Sequence, residues 1–229
     1  LNKLSVLGYS FPHRKTQDVI LNLKLRGVSF SVFHAPATYK KTHNPLIHHR
    51  PDVCHDMDTS SFCDSLGVDH VCLNSVADYN PFVSDYTLIA GCGILPEDLS
   101  STGRFINSHP GILPTSRGLD SFKWSILNKN QVGVTSHIIS GETDAGKLIK
   151  WSSVPLFSSD TFHSFAYRQY QVEVEMLCSS IDDLPKSSLE ELRTDVSVPK
   201  KRMSSRHEFM LFKAFEDYKL SFLKTNHNA

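Results

Sequence analysis

Residues 4–35 constrain this chain more than any other stretch. "LSVLGYS" (4–10) is a short apolar run, and "PHRKTQDVILNLKLRG" (12–27) then sets Val19, Ile20, Leu23 and Leu25 on a helical stripe closed by Gly27. "VSFSVFHA" (28–35) is a second extended run. Two strands joined through a helix in so few residues form a βαβ unit, and that connection requires a parallel sheet. Parallel strands are buried on both faces and read as continuous apolar runs. "YTLIAGCGILP" (86–96) is such a run and belongs at the centre of the sheet.

The pattern continues through the chain. A helix is expected over 60–66 and a short strand at "HVCL" (70–73). "RFINSHP" carries another short strand, and "LDSFKWSILNKN" a helix with Phe122, Ile126 and Leu127 on one side. "VGVTSHIIS" alternates as a strand, "GKLIKWSSVPL" is extended, and "DTFHSFAYRQYQVEVEMLCSSI" is a helix for which Asp160 is the expected cap. Its aromatic stripe, Phe162, Phe165 and Tyr167 or Tyr170, reads as core packing. At 229 residues the chain suits one α/β domain, 1–182, followed by a linker and helical extension over 183–229. That extension holds a basic knot, Lys200, Lys201 and Arg202, and an amphipathic helix over about 205–223.

Charge and composition remove several function classes. Lys plus Arg and Asp plus Glu number 24 each, so no overall field draws the chain to nucleic acid or an anionic membrane. The five cysteines form no Cys-x-x-Cys pair and read as free thiols of a reducing compartment. No run is long and apolar enough to span a bilayer and no signal pattern is seen, so a cytoplasmic protein is expected. The first turn, "GYSFPHR", lacks Gly-x-Gly-x-x-Gly, and Pro12 removes a backbone N–H that a phosphate cradle would use. His43, His48, His49 and His55 lie near Cys54, but their spacing fits no common zinc pattern. No metal is expected, and the polar stretch 36–60 is read as a solvated loop that touches substrate.

Two loops carry the chemistry. "INSHPGILPTSRG" (106–118) holds Asn107 and His109 on a backbone stiffened by Pro110 and Pro114. "SGETDAGKLI" (140–149) follows the strand 132–139. Both loops leave strands at their carboxyl ends, where an open parallel sheet places its ligands, so their side chains are expected to converge. An amide, an imidazole and a carboxylate would then meet with no Ser or Cys nucleophile. Asn107 could donate to a developing oxyanion, His109 could donate or shuttle a proton, and Asp144 could hold that ring charged and oriented. Such a set suits direct transfer between two bound substrates.

Asn107-Ser108-His109-Pro110, Leu113-Pro114, Arg117-Gly118, Gly133-Val134-Thr135-x-His137 and Thr143-Asp144-x-Gly146 together resemble the signature of the 10-formyltetrahydrofolate-dependent formyltransferases. The resemblance runs over about 4–181 and is densest over 86–156. It implies a Rossmann-like α/β fold, a mostly parallel sheet flanked by helices with a short helical C-terminal extension, and Asn107, His109 and Asp144 as catalytic set. It also implies 10-formyltetrahydrofolate as co-substrate, its pterin walled by Ile89, Ala90, Gly91, Cys92, Ile94 and Leu95 and by Ser140, Gly141 and Thr143. Cys92 would line that pocket, and His137 would be a hydrogen-bonded structural residue.

The family acts on several amines. The first turn is a poor phosphate nest for glycinamide ribonucleotide, and a neutral chain without a basic barrel is poorly suited to methionyl-tRNA. Aromatic residues expected on the acceptor side, Tyr9, Phe11, Tyr79 and Trp124, with Ser10 and Arg117, suit a nucleotide-linked deoxyamino sugar. That acceptor is the expectation, for a chain that works alone or as a homodimer. Hydrolysis of the folate donor and silent folate binding are the readings that compete with it.

Overall fold

The computed structural model describes residues 3–37, 44–51 and 53–226. Its sheet has seven strands in the order β3-β2-β1-β4-β5-β6-β7. They are β1 (Leu4–Tyr9), β2 (Ser31–Ala35), β3 (His70–Cys72), β4 (Tyr86–Ile89), β5 (Phe105–His109), β6 (Gly133–Ile139) and β7 (Gly146–Ser153). The first five pair in parallel, whereas β6 and β7 run antiparallel to their neighbours. The topological switch lies between β1 and β4, as the strand order requires.

Alternate residues of β1 divide the interior. Val6 faces a core with Val19, Ile20 and Leu23 of α1 (Arg14–Leu25), Phe62 and Cys63 of α2 (Thr59–Leu66), and Val174 and Leu177 of α5 (Phe162–Asp183). Leu7 faces the other side with Tyr79, Cys92, Phe105 and Leu99 of α3 (Glu97–Ser100). Leu25, placed on the α1 stripe by sequence, is 85% exposed, because two residues beyond Leu23 it turns to the opposite face of the helix. The cap of α5 is Thr161 in a capping box with Ser164. Asp160 instead accepts from Phe157 N and Ser164 Oγ and pairs with both terminal nitrogens of Arg168. Phe162, Phe165 and Tyr170 are buried as expected of core, while Tyr167 is exposed.

A third core joins the C-terminal part to the sheet. Phe122 and Ile126 of α4 (Ser121–Leu127) pack with Phe162 and Phe165 and with Met203, Leu211, Phe215 and Tyr218. The single C-terminal helix expected from sequence is two, α6 (Ser205–Phe209) and α7 (Leu211–Asn226). A buried ion pair between Lys123 and Glu208 locks α4 to α6, and Glu208 also accepts from Leu46 N. The stretch 36–60 is far from a free solvated loop where it is described. Gln17 exchanges hydrogen bonds with His55, Arg14 donates to Val53 O, and Arg50 joins Lys15 on the buried Glu173. His43 lies outside the described residues; His49 stacks on Phe122, and among the described residues no three metal-ligating side chains converge.

Candidate active site

Asn107 and His109 alternate along β5, so both side chains leave the same face of the sheet. The loop 140–145 reaches them by a route that the sequence did not suggest. Because β6 is antiparallel, its carboxyl end pairs with Ile106, while its start, at Thr135, pairs with His109. The two loops therefore leave opposite ends of the sheet, and convergence at a shared end is corrected to convergence across a face. His137, opposite Asn107 in the register, donates Nδ1–H to Ala145 O at 3.1 Å and helps hold that loop down.

The folded-back loop brings Asp144 Oδ1 to 3.1 Å from His109 Nδ1. Asp144 Oδ2 accepts from Gly118 N at 2.6 Å. Burial opposes the Asp144 charge, but the hydrogen bond and proximity of His109, with the Gly118 N–H and His137, outweigh it and hold the carboxyl below the ordinary range. His109 Nε2 donates to Ser116 O at 2.6 Å, with Ser121 Oγ at 3.1 Å. Both ring nitrogens thus face oxygen acceptors, which a doubly protonated imidazole satisfies. Asn107 is half-buried. His137 is pushed down to about 4, first by burial and then by neighbouring His109, so its ring is neutral at ordinary pH, with a buried Nε2 that finds no hydrogen-bond partner among the described residues.

The loop 110–118 is positioned from below. Thr135 Oγ1 donates to Gly111 O and accepts from Leu113 N, and Gln169 on α5 donates to Pro110 O. Neither Gln169 nor Ser121 was singled out by sequence reading; both are polar residues inside helices, where only the fold gives them a partner.

The other site candidates separate. Ser140 and Gly141 border a groove of about 370 Å³ with Glu97, Glu142, Ala145, Gly146, Glu191, Leu192 and Thr194. Across the sheet, Ala90 and Gly91 both donate their N–H to Leu7 O, and Gly91 leaves room for the rings of Tyr9 and His13, which a Cβ would meet at 2.8 and 2.9 Å. Ile89 and Leu95 pack against the core beside a buried Cys92, whose thiol burial pushes up to about 12, away from nucleophile chemistry. Ile94 is 92% exposed.

On the expected acceptor side, Tyr9 stacks on Phe11 at 4.8 Å and Ser10 Oγ lies 3.0 Å from His34 Nδ1. Tyr79 is core instead: it is buried against Phe33 and Phe105, its hydroxyl 2.7 Å from Thr87 Oγ1. Arg117 is also buried, its guanidinium donating to Thr143 O, Thr194 O and Ser197 O rather than facing a ligand. Trp124 donates to Lys201 O under the C-terminal segment.

The α/β sheet, with the His109–Asp144 pair set against β5, has the architecture of an enzyme scaffold. The profile of the family described as formyl transferase matches residues 44–181, and the chain belongs to that family. It is 30% identical over 105 residues to a methionyl-tRNA formyltransferase of Citrifermentans bemidjiense, covering 44% of this chain and 33% of that protein. It is 29% identical over 75 residues to a phosphoribosylglycinamide formyltransferase of Haemophilus influenzae, 32% of this chain and 35% of that one. The chain thus spans about a third of the length of these curated relatives. In fold it resembles a 4-N formyltransferase from Francisella tularensis, with TM-score 0.59 and 18% identity, over 93% of this chain and 87% of that one. A phosphoribosylglycinamide formyltransferase from Anaplasma phagocytophilum matches with TM-score 0.57 and 20% identity, over 81% of this chain and 89% of that one.

Proposed function

We propose that this chain transfers a formyl group from 10-formyltetrahydrofolate to a primary amine, that of a nucleotide-linked deoxyamino sugar. The observation that carries the reading is the contact of His109 with Asp144 on the face from which Asn107 also projects. The folate donor supplies an activated formyl group. As the amine adds to the formyl carbon the carbonyl π bond opens and the formyl oxygen gains negative charge, which Asn107 Nδ2–H and His109 Nε2–H would stabilise until the bond to the donor nitrogen breaks and the carbonyl re-forms. Asp144 offsets the charge of the ring, and the proton lost by the amine passes to the donor nitrogen through His109 or water. To reach the oxyanion, Nε2–H exchanges the Ser116 carbonyl for it, so the loop 110–118 is the element that adjusts.

A groove of about 370 Å³ beside Ser140 and Gly141 is in the range of small-molecule sites, about 300–1,000 Å³. Thr143 would meet the donor through its side chain or N–H, since its carbonyl accepts from Arg117. The acceptor reading rests on the first turn, where Pro12 and the Tyr9–Phe11 stack suit a base better than a phosphate nest. Sugar N-formyltransferases and phosphoribosylglycinamide formyltransferases share the fold alike. The test is turnover of nucleoside-diphosphate 3-amino and 4-amino deoxysugars, glycinamide ribonucleotide and methionyl-tRNA with the folate donor. A sugar nucleotide should be preferred; turnover of glycinamide ribonucleotide alone rejects the acceptor, and formate release without any amine rejects the transferase.

A further inference from the structure

We infer that residues 190–203, a strap laid across both candidate catalytic loops, and Arg117, which ties the strap to them, position Asp144 against His109. The inference rests on the proposed roles of that pair. At one end, Leu192 N donates to Gly146 O at 2.7 Å and Leu148 N to Glu190 O at 2.9 Å, so the strap begins against the strand that follows Asp144. At the other, Lys200 N donates to Arg117 O and Leu119 N to Lys200 O, bracketing the very Gly118 whose N–H holds Asp144 Oδ2. The approach is so close that a Cβ on Gly118, which has φ +93°, would lie 2.2 Å from Lys200 O. Only glycine keeps the strap seated there.

Arg117 joins the pieces. Its buried guanidinium donates to Thr143 O, the carbonyl before Asp144, at 2.6 Å, and to Thr194 O and Ser197 O of the strap at 2.7 and 3.1 Å. Ser197 Oγ in turn donates to Pro114 O at 2.6 Å. Asp144 has φ +49°, a left-handed backbone that a non-glycine residue keeps only where its surroundings enforce it. The strap is itself pinned: Met203 N donates to Asp120 Oδ2, Met203 is fully buried, and Glu208 just beyond pairs with Lys123. Arg117 is thus a positioning residue acting through Thr143 and Gly118, not a ligand for substrate.

The test compares Arg117→Lys and Arg117→Ala with the wild type in steady-state turnover and in amide NMR. Displacing a reacting group by about 1 Å costs on the order of a hundredfold, so Arg117→Ala should lose about tenfold to a hundredfold in kcat, with the KM of the folate donor little changed. Arg117→Lys should recover part of the loss, and the pH profile of kcat should change shape in the alanine variant. The Gly118 amide, bonded to Asp144, reports on the same geometry without substrate: its proton shift should follow ionisation of Asp144 in the wild type and lose that dependence in Arg117→Ala. Ser197→Ala, a milder cut in the strap, serves if Arg117→Ala does not fold, and should weaken the Gly118 response. Unchanged kcat together with an unchanged Gly118 response in a folded variant overturns the inference. A wild type inert toward formyl donors, yet showing the Gly118 response and its loss, rejects the proposed function and leaves the strap standing.

Discussion

The turn after β1 and the loop after β5 leave the same end of one sheet, yet they are held by opposite means. The first turn is secured from the N-terminal third of the chain: Tyr9 stacks on Phe11, His13 bonds Thr16, Ser10 reaches His34 on the adjacent strand, and Thr59 donates to Tyr9 O and Ser10 O. The loop after β5 is secured by Thr135 on β6 and by Asp144, and beyond them from the C-terminal part of the chain by Gln169, Thr194, Ser197 and Lys200. A locally held turn can change its side chains with little effect elsewhere, whereas a loop clamped from the C-terminal part cannot. On this reading the acceptor end is free to diverge and the formyl-transfer end is tied to the whole fold.

The largest effect expected is on the clamp. Lys123 and Glu208 are 1% and 0% exposed, so Lys123→Met strands a buried carboxylate. Removing one partner of a buried ion pair costs about 3–5 kcal/mol, and denaturant unfolding should show a loss of that size, largely restored by pairing Lys123→Met with Glu208→Leu. A loss below about 1 kcal/mol, the value of a surface pair, would erase the contrast between the two ends. Next come the reacting groups. Asn107→Ala should lower kcat by about a hundredfold to a thousandfold, the usual cost of one oxyanion donor, while folate binding measured by calorimetry persists. Near-normal turnover would remove Asn107 from the mechanism.

Much of this was legible in the chain and some was hidden for physical reasons. The opening βαβ unit and the buried stripe Val19, Ile20 and Leu23 follow from local period, whereas the grouping of His109 with Asp144 was legible through the resemblance to the formyltransferases and not through the sheet end first expected. The direction of β6 does not follow from local period. A strand buried on both faces carries no direction in its pattern, and α4, with only seven residues and so about 10 Å of helix, is too short to return the chain to the far end of the sheet. The strap was equally hidden, because what it contributes to these bonds is mainly its own backbone groups, which leave no mark in the sequence. Arg117 looked like a ligand residue because a guanidinium beside a catalytic motif suits an anion; in the fold, three carbonyls claim it first.

Acid probes both ends together. His13 at the first turn and His137 at the catalytic face are each depressed to about 4, burial being the largest cause in both, and His49 is pushed well below its ordinary value. A histidine with a lowered folded value takes its proton in the unfolded chain first. The stability it lends is complete above about pH 6.5 and is lost as the pH falls toward 4, at about 1.4 kcal/mol per pH unit for each proton. Unfolding free energy measured across that window should therefore fall with acid, and His137→Asn should make the fall shallower. An unchanged slope would mean that His137 is not held neutral in the fold. The Asp144 carboxylate, lowered in the fold, adds its own loss only below the ordinary carboxylate range.

The smallest effect tests the freedom assigned to the first turn. Phe11 is 43% exposed and lies on the buried Tyr9 with an interplanar angle of 21°, so one ring face is packed and the other is open. An aromatic contact of that kind is worth about 0.5–1.5 kcal/mol, a factor of roughly two to ten in affinity. Phe11→Ala should raise the KM for a nucleotide sugar by that factor and leave the KM for the folate donor and the Gly118 amide response where they were. Phe11→Tyr, which keeps the ring, should restore acceptor affinity. If Phe11→Ala also slows turnover at saturating acceptor, the first turn is coupled to the catalytic pair, and its local construction does not isolate it from the clamp at the other end.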